Sequence, residues 1–229
     1  IAAWGLAETL RRTVGMFAIA LWDRETRTLQ LARDRVGEKP LYYGWVQGDF
    51  VFGSELKALR AYPGFDNPVD RNSLALYLQF CAVPAPYSIY RDVCKLEPGC
   101  ILSLRTDGIA GRKVAIAPYW SFVEAARAGR AQPIADEREG LGALEATRAR
   151  AVVLGEECVD FDEAGFDEAP HAKAVATHLR TEHHELRVRP DDARAVIPKL
   201  PTLYDEPFAD SSQIPTHLVC QAARGKVTV

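Results

Sequence analysis

The segment Tyr204-Asp205-Glu206-Pro207-Phe208-Ala209-Asp210-Ser211-Ser212 holds three carboxylates and two hydroxyls between two predicted helices. Such a set can bind Mg²⁺, a ribose or an amino group. It can equally be an ordinary helix start, with Asp210, Ser211 or Ser212 as N-cap and Pro215 in the first turn. Spacing alone does not separate the two. A strand-end loop carrying three carboxylates is costly unless they face water, a metal or cationic groups.

A second concentration is Ala32-Arg33-Asp34-Arg35-Val36-Gly37-Glu38-Lys39-Pro40-Leu41-Tyr42-Tyr43, in which five charges sit between two apolar strands and end in a rigid Lys-Pro. The simplest reading is a charged hairpin with Gly37 at the turn. That reading leaves the length and the charge density of the connection unaccounted for.

Other chemistries are poorly served. No two glycines are adjacent, and Gly140-Leu141-Gly142 is followed by Glu145 where a dinucleotide fingerprint needs Gly. His171 and His178 lie seven apart on one helix face, and His183-His184 open a strand; neither has metal-ligand spacing. No metal site is expected. The five cysteines (81, 94, 100, 158 and 220) are scattered without a Cys-x-x-Cys pair, and none has a turn or helix start to activate it. An odd, dispersed set points to a reducing, cytoplasmic setting.

The elements that must position these residues change character along the chain. Residues 14–22 read as a strand with large Phe17, Ile19 and Leu21 on one face and small Ala18 and Ala20 on the other. Strands follow at 28–32, 41–46 and 50–52, the last two joined across Gln47-Gly48-Asp49, with more at 101–104 and 114–116. A helix starts near Asp70. This half predicts mainly antiparallel sheet with a few helices, an α+β plan. Residues 121–140 carry Ala, Arg, Glu and Gly and read as a surface helix or linker. Beyond it, helices at 141–153 and 169–179, strands at 158–161 and 185–188, helices from Asp191 and over 214–223, and a last strand at 227–229 alternate as in a parallel, doubly wound α/β sheet. Asp167 is placed to cap the 169–179 helix.

Bulk properties bound the rest. With 48% hydrophobic and 26% charged residues the chain is an ordinary folding sequence, neither disordered nor low-complexity. A net charge of -3 offers no basic field for nucleic acid or an anionic membrane. The longest apolar run, 14–22, is well short of the roughly 20 residues of a membrane span. No secretory segment is read at the start. The chain opens on Ile1 and closes on Lys226-Val227-Thr228-Val229, so both ends look cut.

Several stretches, in order, resemble the glutamine-hydrolysing asparagine synthetases, which are class II glutamine amidotransferases. They are Gly15-Met16-Phe17-Ala18 with Leu21-Trp22-Asp23, the Ala-Arg-Asp-Arg to Leu-Tyr-Tyr run, and Gly53-Ser54-Glu55-Leu56-Lys57-Ala58-Leu59. Val83-Pro84-Ala85-Pro86, Lys95-Leu96-Glu97-Pro98-Gly99, Tyr119-Trp120, Phe161-Asp162-Glu163, Asp167-Glu168, His183-His184-Glu185 and Asp205-Glu206-Pro207 continue the match. The resemblance implies a partial glutaminase domain of the Ntn-hydrolase fold at 1–120, a linker at 121–140 and a partial, Rossmann-like ATP-pyrophosphatase domain at 141–229. It implies asparagine, glutamate, AMP and pyrophosphate made from ATP, aspartate and glutamine, with Mg²⁺ in the complete enzyme. Adenylation makes AMP the leaving group, and a dry tunnel keeps ammonia unprotonated.

By the same resemblance, Asp205, Glu206, Asp210, Ser211 and Ser212 would form the aspartate–ATP pocket, with Phe161 and Asp162 on its nucleotide side. Met16, Arg33, Asp34, Lys39 and Pro40 would lie toward the domain interface and the ammonia route. Small-molecule partners are expected, with no nucleic acid or membrane, and homodimerisation left open. No N-terminal Cys begins the chain, and Val153-Leu154-Gly155-Glu156-Glu157 stands where the family has a Ser-Gly-Gly-x-Asp-Ser pyrophosphate loop. The polypeptide as written is therefore expected to be a catalytically incomplete fragment, with no catalytic residue retained and no tight binding of ATP or Mg²⁺. A related ATP-dependent amide or lactam former, and a non-catalytic remnant that binds a partner, are the alternatives.

Overall fold

The computed structural model describes residues 1–134, 136–151, 156–161, 169–179 and 183–224. It divides into two units, Ile1–Ala131 with Tyr204–Ala209, and Gln132–Leu203 with Asp210–Val229.

In the first unit, helix α1 (Gly5–Arg12) precedes strands β1 (Ala18–Asp23), β2 (Thr28–Arg33), β3 (Tyr42–Val46) and β4 (Asp49–Gly53). Helices α2 (Leu56–Arg60) and α3 (Arg71–Phe80), strands β5 (Val93–Lys95), β6 (Cys100–Arg105) and β7 (Ala115–Pro118), and helix α4 (Phe122–Ala131) follow. Two antiparallel sheets result, ordered β1-β2-β6-β7 and β4-β3-β5. The two-residue side-chain period of a strand explains their layering. Leu31, Leu102 and Leu104 of the first sheet meet Tyr43 of the second in one core. Their chain neighbours Ala32 and Ile101 point the other way, onto Leu6 and Leu10 of α1. Val46, Val51 and Val93 turn outward from the second sheet onto Leu56 and Leu59 of α2 and Tyr77 of α3. Each sheet is thus covered on both faces, and the order of layers is helix, sheet, sheet, helix.

Three local features follow from the chain's chemistry. The β3–β4 hairpin pairs Val46 with Asp49 and turns on Gln47 and Gly48, both at positive φ (49° and 97°), so its loop is two residues long. Asp70 starts α3 by accepting from the N–H groups of Asn72 and Ser73. Gly44 lies so close to the chain opposite that an added Cβ would stand 2.3 Å from the carbonyl oxygen of Asp92.

Two expectations need correction. The first strand begins at Ala18 rather than at residue 14, because Gly15 adopts a φ of 115° that takes the backbone out of the extended region. Residues 5–12, to which the hydrophobic pattern assigned no element, are α1. The i, i+4 pair Leu6 and Leu10, both buried, and the Glu8–Arg12 ion pair beside them are its signal.

The second unit comprises helix α5 (Glu137–Ala151), strand β8 (Glu156–Phe161), α6 (Ala169–Leu179), β9 (His183–Val188), α7 (Pro190–Val196), α8 (Leu200–Leu203) and α9 (Gln213–Arg224). Strands β8 and β9 pair in parallel, from Glu156 with His183 to Phe161 with Val188. Ala176, Val188 and Val196 are buried, which puts one face of α6 and α7 inward. Helix α7 starts with Pro190 at a position that has no N–H to lose, while Asp192 accepts from the backbone N–H of Arg189. Residues 122–134 and 136–139 are exposed, and the stretch is helical in α4 and again from Glu137.

Candidate functional site

The strap Tyr204–Ala209 leaves α8 and leads into α9, and it belongs to the first unit. It contains no helix or strand, and Pro207 lacks an N–H to donate. Its two acidic side chains hold it in place. Glu206 accepts from the backbone N–H of Ile89 at 2.7 Å through Oε1, and its Oε2 lies 2.5 Å from the Lys95 ammonium. The Tyr42 hydroxyl donates to the same Oε2 at 3.4 Å. Strand register builds this receptor, since Tyr42 and Lys95 are directly paired residues of β3 and β5 and so share a face. Lys95 also donates to the carbonyl oxygen of Val83. Burial, with Glu206 and Asp205 close by, pushes the Tyr42 phenol up, so it stays protonated and donates.

Asp205 makes a second anchor. Its Oδ2 accepts from the backbone N–H of Lys57 at 3.1 Å, and its Oδ1 lies 3.4 Å from the Lys57 ammonium. Burial opposes the Lys57 charge, but Glu55 and Asp205 outweigh it and hold the ammonium above its ordinary value. The N–H of Ala209 closes the strap onto the carbonyl oxygen of Cys81, and the Tyr204 and Phe208 rings lie 5.8 Å apart.

The acidic segment therefore divides. Asp205 and Glu206 spend their oxygens on cations and N–H groups of the first unit, an arrangement neither a substrate pocket nor a helix cap anticipated. Asp210, Ser211 and Ser212 lie in the second unit and are exposed. Asp210 accepts from the N–H of Ser212 at 2.8 Å, and that bond holds its carboxyl below the ordinary range. Phe161 ends β8 in register with Val188; Asp162, Asp167 and the strand expected at 227–229 lie outside the described residues.

The charged connection after β2 organises itself. Asp34 is 1% exposed and accepts from Gly37, Glu38 and Lys39 N–H groups at 2.7, 2.9 and 2.9 Å, and from Phe17 at 3.3 Å. Burial pushes its carboxyl up, and the four donors together overcome that and leave it lowered. Arg33 donates to the carbonyl oxygens of Lys39, Leu96 and Gly37, and Arg35 to those of Thr13 and Arg11. Charge density here serves backbone satisfaction. Met16, Lys39 and Pro40 remain exposed.

Among the described residues no group of three or more His, Cys, Asp or Glu side chains converges as a metal site, and the two strap carboxylates are already paired. Burial pushes the Cys94 and Cys100 thiols up, which makes them poor nucleophiles. His178 pairs with Glu145 at 3.4 Å on the surface. A cavity of about 350 Å³ in the first unit, lined by Trp22, Phe50 and Tyr62 among others, includes none of the residues anticipated for chemistry. No helix among the described residues is long and apolar enough to cross a membrane.

Lys57 and Lys95 are the residues that sequence reasoning missed. Both sit inside stretches that carried the resemblance, Gly53 to Leu59 and Lys95 to Gly99, where two cations without an assigned role were the signal.

The two parts of the chain match two different family models. Residues 1–120 match the family model described as a glutamine amidotransferase domain, and residues 146–229 match the one described as asparagine synthase. The chain is 30% identical over 94% of its length to a Methanocaldococcus jannaschii protein provisionally named asparagine synthetase [glutamine-hydrolyzing] 2, covering 47% of that protein. It is 31% identical over 99% of its length to a Mycobacterium bovis protein provisionally named asparagine synthetase [glutamine-hydrolyzing], covering 39%. To Bacillus subtilis asparagine synthetase [glutamine-hydrolyzing] 1 it is 28% identical over 97%, covering 38%. The chain thus spans half or less of the length of these relatives. It belongs to the glutamine-hydrolysing asparagine synthetase family of glutamine amidotransferases.

Proposed function

We propose that the protein carrying these residues makes asparagine from aspartate, with ATP as activator and glutamine as nitrogen donor, releasing glutamate, AMP and pyrophosphate. The observation that supports this reading is the presence of an amidotransferase module and an asparagine synthase module in one chain, in the order of the relatives it matches. In this reading the first unit is part of an Ntn-type glutaminase, for which two sheets between helix layers are a suitable plan, and the second is part of a Rossmann-like ATP-pyrophosphatase domain divided from it near 121–140.

Asp210, Ser211 and Ser212, with Phe161 at the C-terminal end of β8 and Asp162 next to it in sequence, are proposed to border the aspartate–ATP pocket. Loops at the carboxyl ends of parallel strands are where such sheets bind ligands. Asp210 is ionised at neutral pH and offers an acceptor to an amino group or a ribose hydroxyl. Exposed Met16, Lys39 and Pro40 are proposed to border the nitrogen route. ATP and Mg²⁺ belong to the complete reaction. With Val152-Val153-Leu154-Gly155 ahead of β8, the 229 residues alone hold no run of glycine N–H groups for pyrophosphate, and are expected not to adenylate aspartate. The deciding experiment assays the protein for asparagine formed from aspartate and ATP with glutamine or ammonium. Asparagine with both donors supports the reading, and none with either overturns it. Release of pyrophosphate by the 229-residue polypeptide would overturn the assigned incompleteness.

A further inference from the structure

We infer that Glu206 is a positioning residue: its pairing with Lys95 moors the strap and fixes the backbone from which Asp210, Ser211 and Ser212 extend. This deepens, and rests on, the reading of those three residues as the acceptor side of an aspartate-activating site.

A segment with no helix or strand and a proline at its middle has few hydrogen bonds of its own to define its path. Its definition must come from groups that reach outward, and the two carboxylates do so from successive residues. Glu206 is the stronger anchor. Its side chain is 10% exposed and Lys95 is 15% exposed, so the pair is largely out of water. A buried pair of this kind is a poor source of net stability, because desolvating both ions offsets their attraction, and a good source of a single geometry. Each oxygen of Glu206 has its own partner, with the Ile89 N–H on one and Lys95 and Tyr42 on the other.

The frame behind these partners is rigid. Tyr42 and Lys95 are fixed by the β3–β5 register, and the Ile89 carbonyl oxygen accepts from the N–H of Asp70 at the start of α3. The other end of α3 supplies the Cys81 carbonyl oxygen that receives the Ala209 N–H at 2.8 Å. Both ends of one helix therefore register the strap, and Asp210 is the next residue. A carboxylate 10% exposed, with both oxygens engaged by groups of the first unit, faces those partners and not a substrate ammonium or a metal. Its consequence for chemistry passes through the backbone it holds.

The test is amide hydrogen exchange, read by mass spectrometry on the 229-residue polypeptide. Glu206→Ala and Lys95→Met are expected to speed exchange at least tenfold in peptides covering 204–213, while peptides of β2 and β6 stay protected. Lys95→Arg keeps a cation and is expected to retain protection. Unchanged exchange at 204–213 in both disruptive variants would overturn the mooring. Equal loss of protection in β2 and β6 would overturn it as well, since it would make the pair a support of the whole unit. In the complete protein, Glu206→Ala is expected to raise the aspartate KM for ammonium-dependent synthesis at least tenfold, and an unchanged KM would overturn the positioning role. If the wild-type protein makes no asparagine, the functional reading falls while the exchange result still decides the mooring.

Discussion

Lys95 Nζ lies 2.5 Å from Oε2 of Glu206, and the two side chains are 15% and 10% exposed. One belongs to strand β5 and the other to a strap that arrives from the far end of the chain, so the contact is tertiary in the strictest sense. Removing one partner leaves the other charge desolvated and unpaired. Because the strap can lift and hydrate the orphaned charge, Glu206→Ala or Lys95→Met is expected to lower the opening free energy of the strap by about 3 kcal/mol, read as faster amide exchange at 204–213 and not at β2 or β6. The double variant Lys95→Met/Glu206→Met should recover most of that loss. Additive losses would show that the pair is not coupled.

Asp34 gives a pH signature with a definite sign. Its folded carboxyl is lowered, so its contribution is present above the unfolded value near 4 and is lost as pH falls through the still lower folded value. Stability should therefore drop on acidification below about pH 4, with a shallower drop in Asp34→Asn. Asp34→Ala, which leaves four N–H groups without their acceptor, is expected to cost about 3 kcal/mol or more at neutral pH. Identical acid slopes for wild type and Asp34→Asn would refute the assignment.

Two glycines should respond differently to alanine. At Gly44 a Cβ would meet the Asp92 carbonyl oxygen at 2.3 Å and the Val93 Cα at 2.8 Å, both backbone atoms that cannot swing away. Gly44→Ala is expected to cost about 3 kcal/mol or to prevent folding. At Gly48 nothing lies within 4 Å, and only the φ of +97° is penalised, by about 1–2 kcal/mol. Thermal melts of the two variants compare them directly, and equal losses would contradict the close approach at Gly44.

Residues 121–140 should be the first site of proteolysis. Arg127, Arg130 and Arg138 are exposed there, and α4 has no buried residue to resist local opening. Brief trypsin treatment followed by intact-mass analysis is expected to give fragments ending at these arginines. Early cuts at Arg24, Arg27 or Arg33, in or beside β1 and β2, would refute the division near this stretch.

Asp210→Ala and Ser212→Ala, assayed in the complete protein, are expected to lower ammonium-dependent asparagine formation by about tenfold, the scale of one lost polar contact at a reacting substrate. Release of glutamate from glutamine should be unchanged. Full synthesis in both variants would leave Asp210 as a turn-forming residue only.

The antiparallel first half was legible because alternation and tight turns are local signals: β2, β3, β4 and β6 fall within a residue or two of the hydrophobic pattern. The parallel pairing of β8 with β9 followed from helices placed between strands. Strand β1 was read too long because a glycine between apolar residues has no visible φ, and α1 was passed over because eight residues make barely two turns of pattern. The charged run after β2 was seen as unusual. Its purpose was hidden, since the acceptors of Arg33 and the donors to Asp34 are backbone groups that every residue carries.

Residue types and spacing marked the change of pattern near 121–140 and the concentration of acids at Asp205, Glu206 and Asp210, and the resemblance of several motifs added the family. The sequence could not apportion those acids, because adjacent carboxylates in a loop are chemically alike until their neighbours are known. Only the tertiary structure decided that Asp205 and Glu206 turn to Lys57 and Lys95 while Asp210 stays exposed. The physical reason is that a carboxylate's role is set by which cation or N–H group the fold brings within about 3 Å of it, and those partners come from strands and turns far away in sequence.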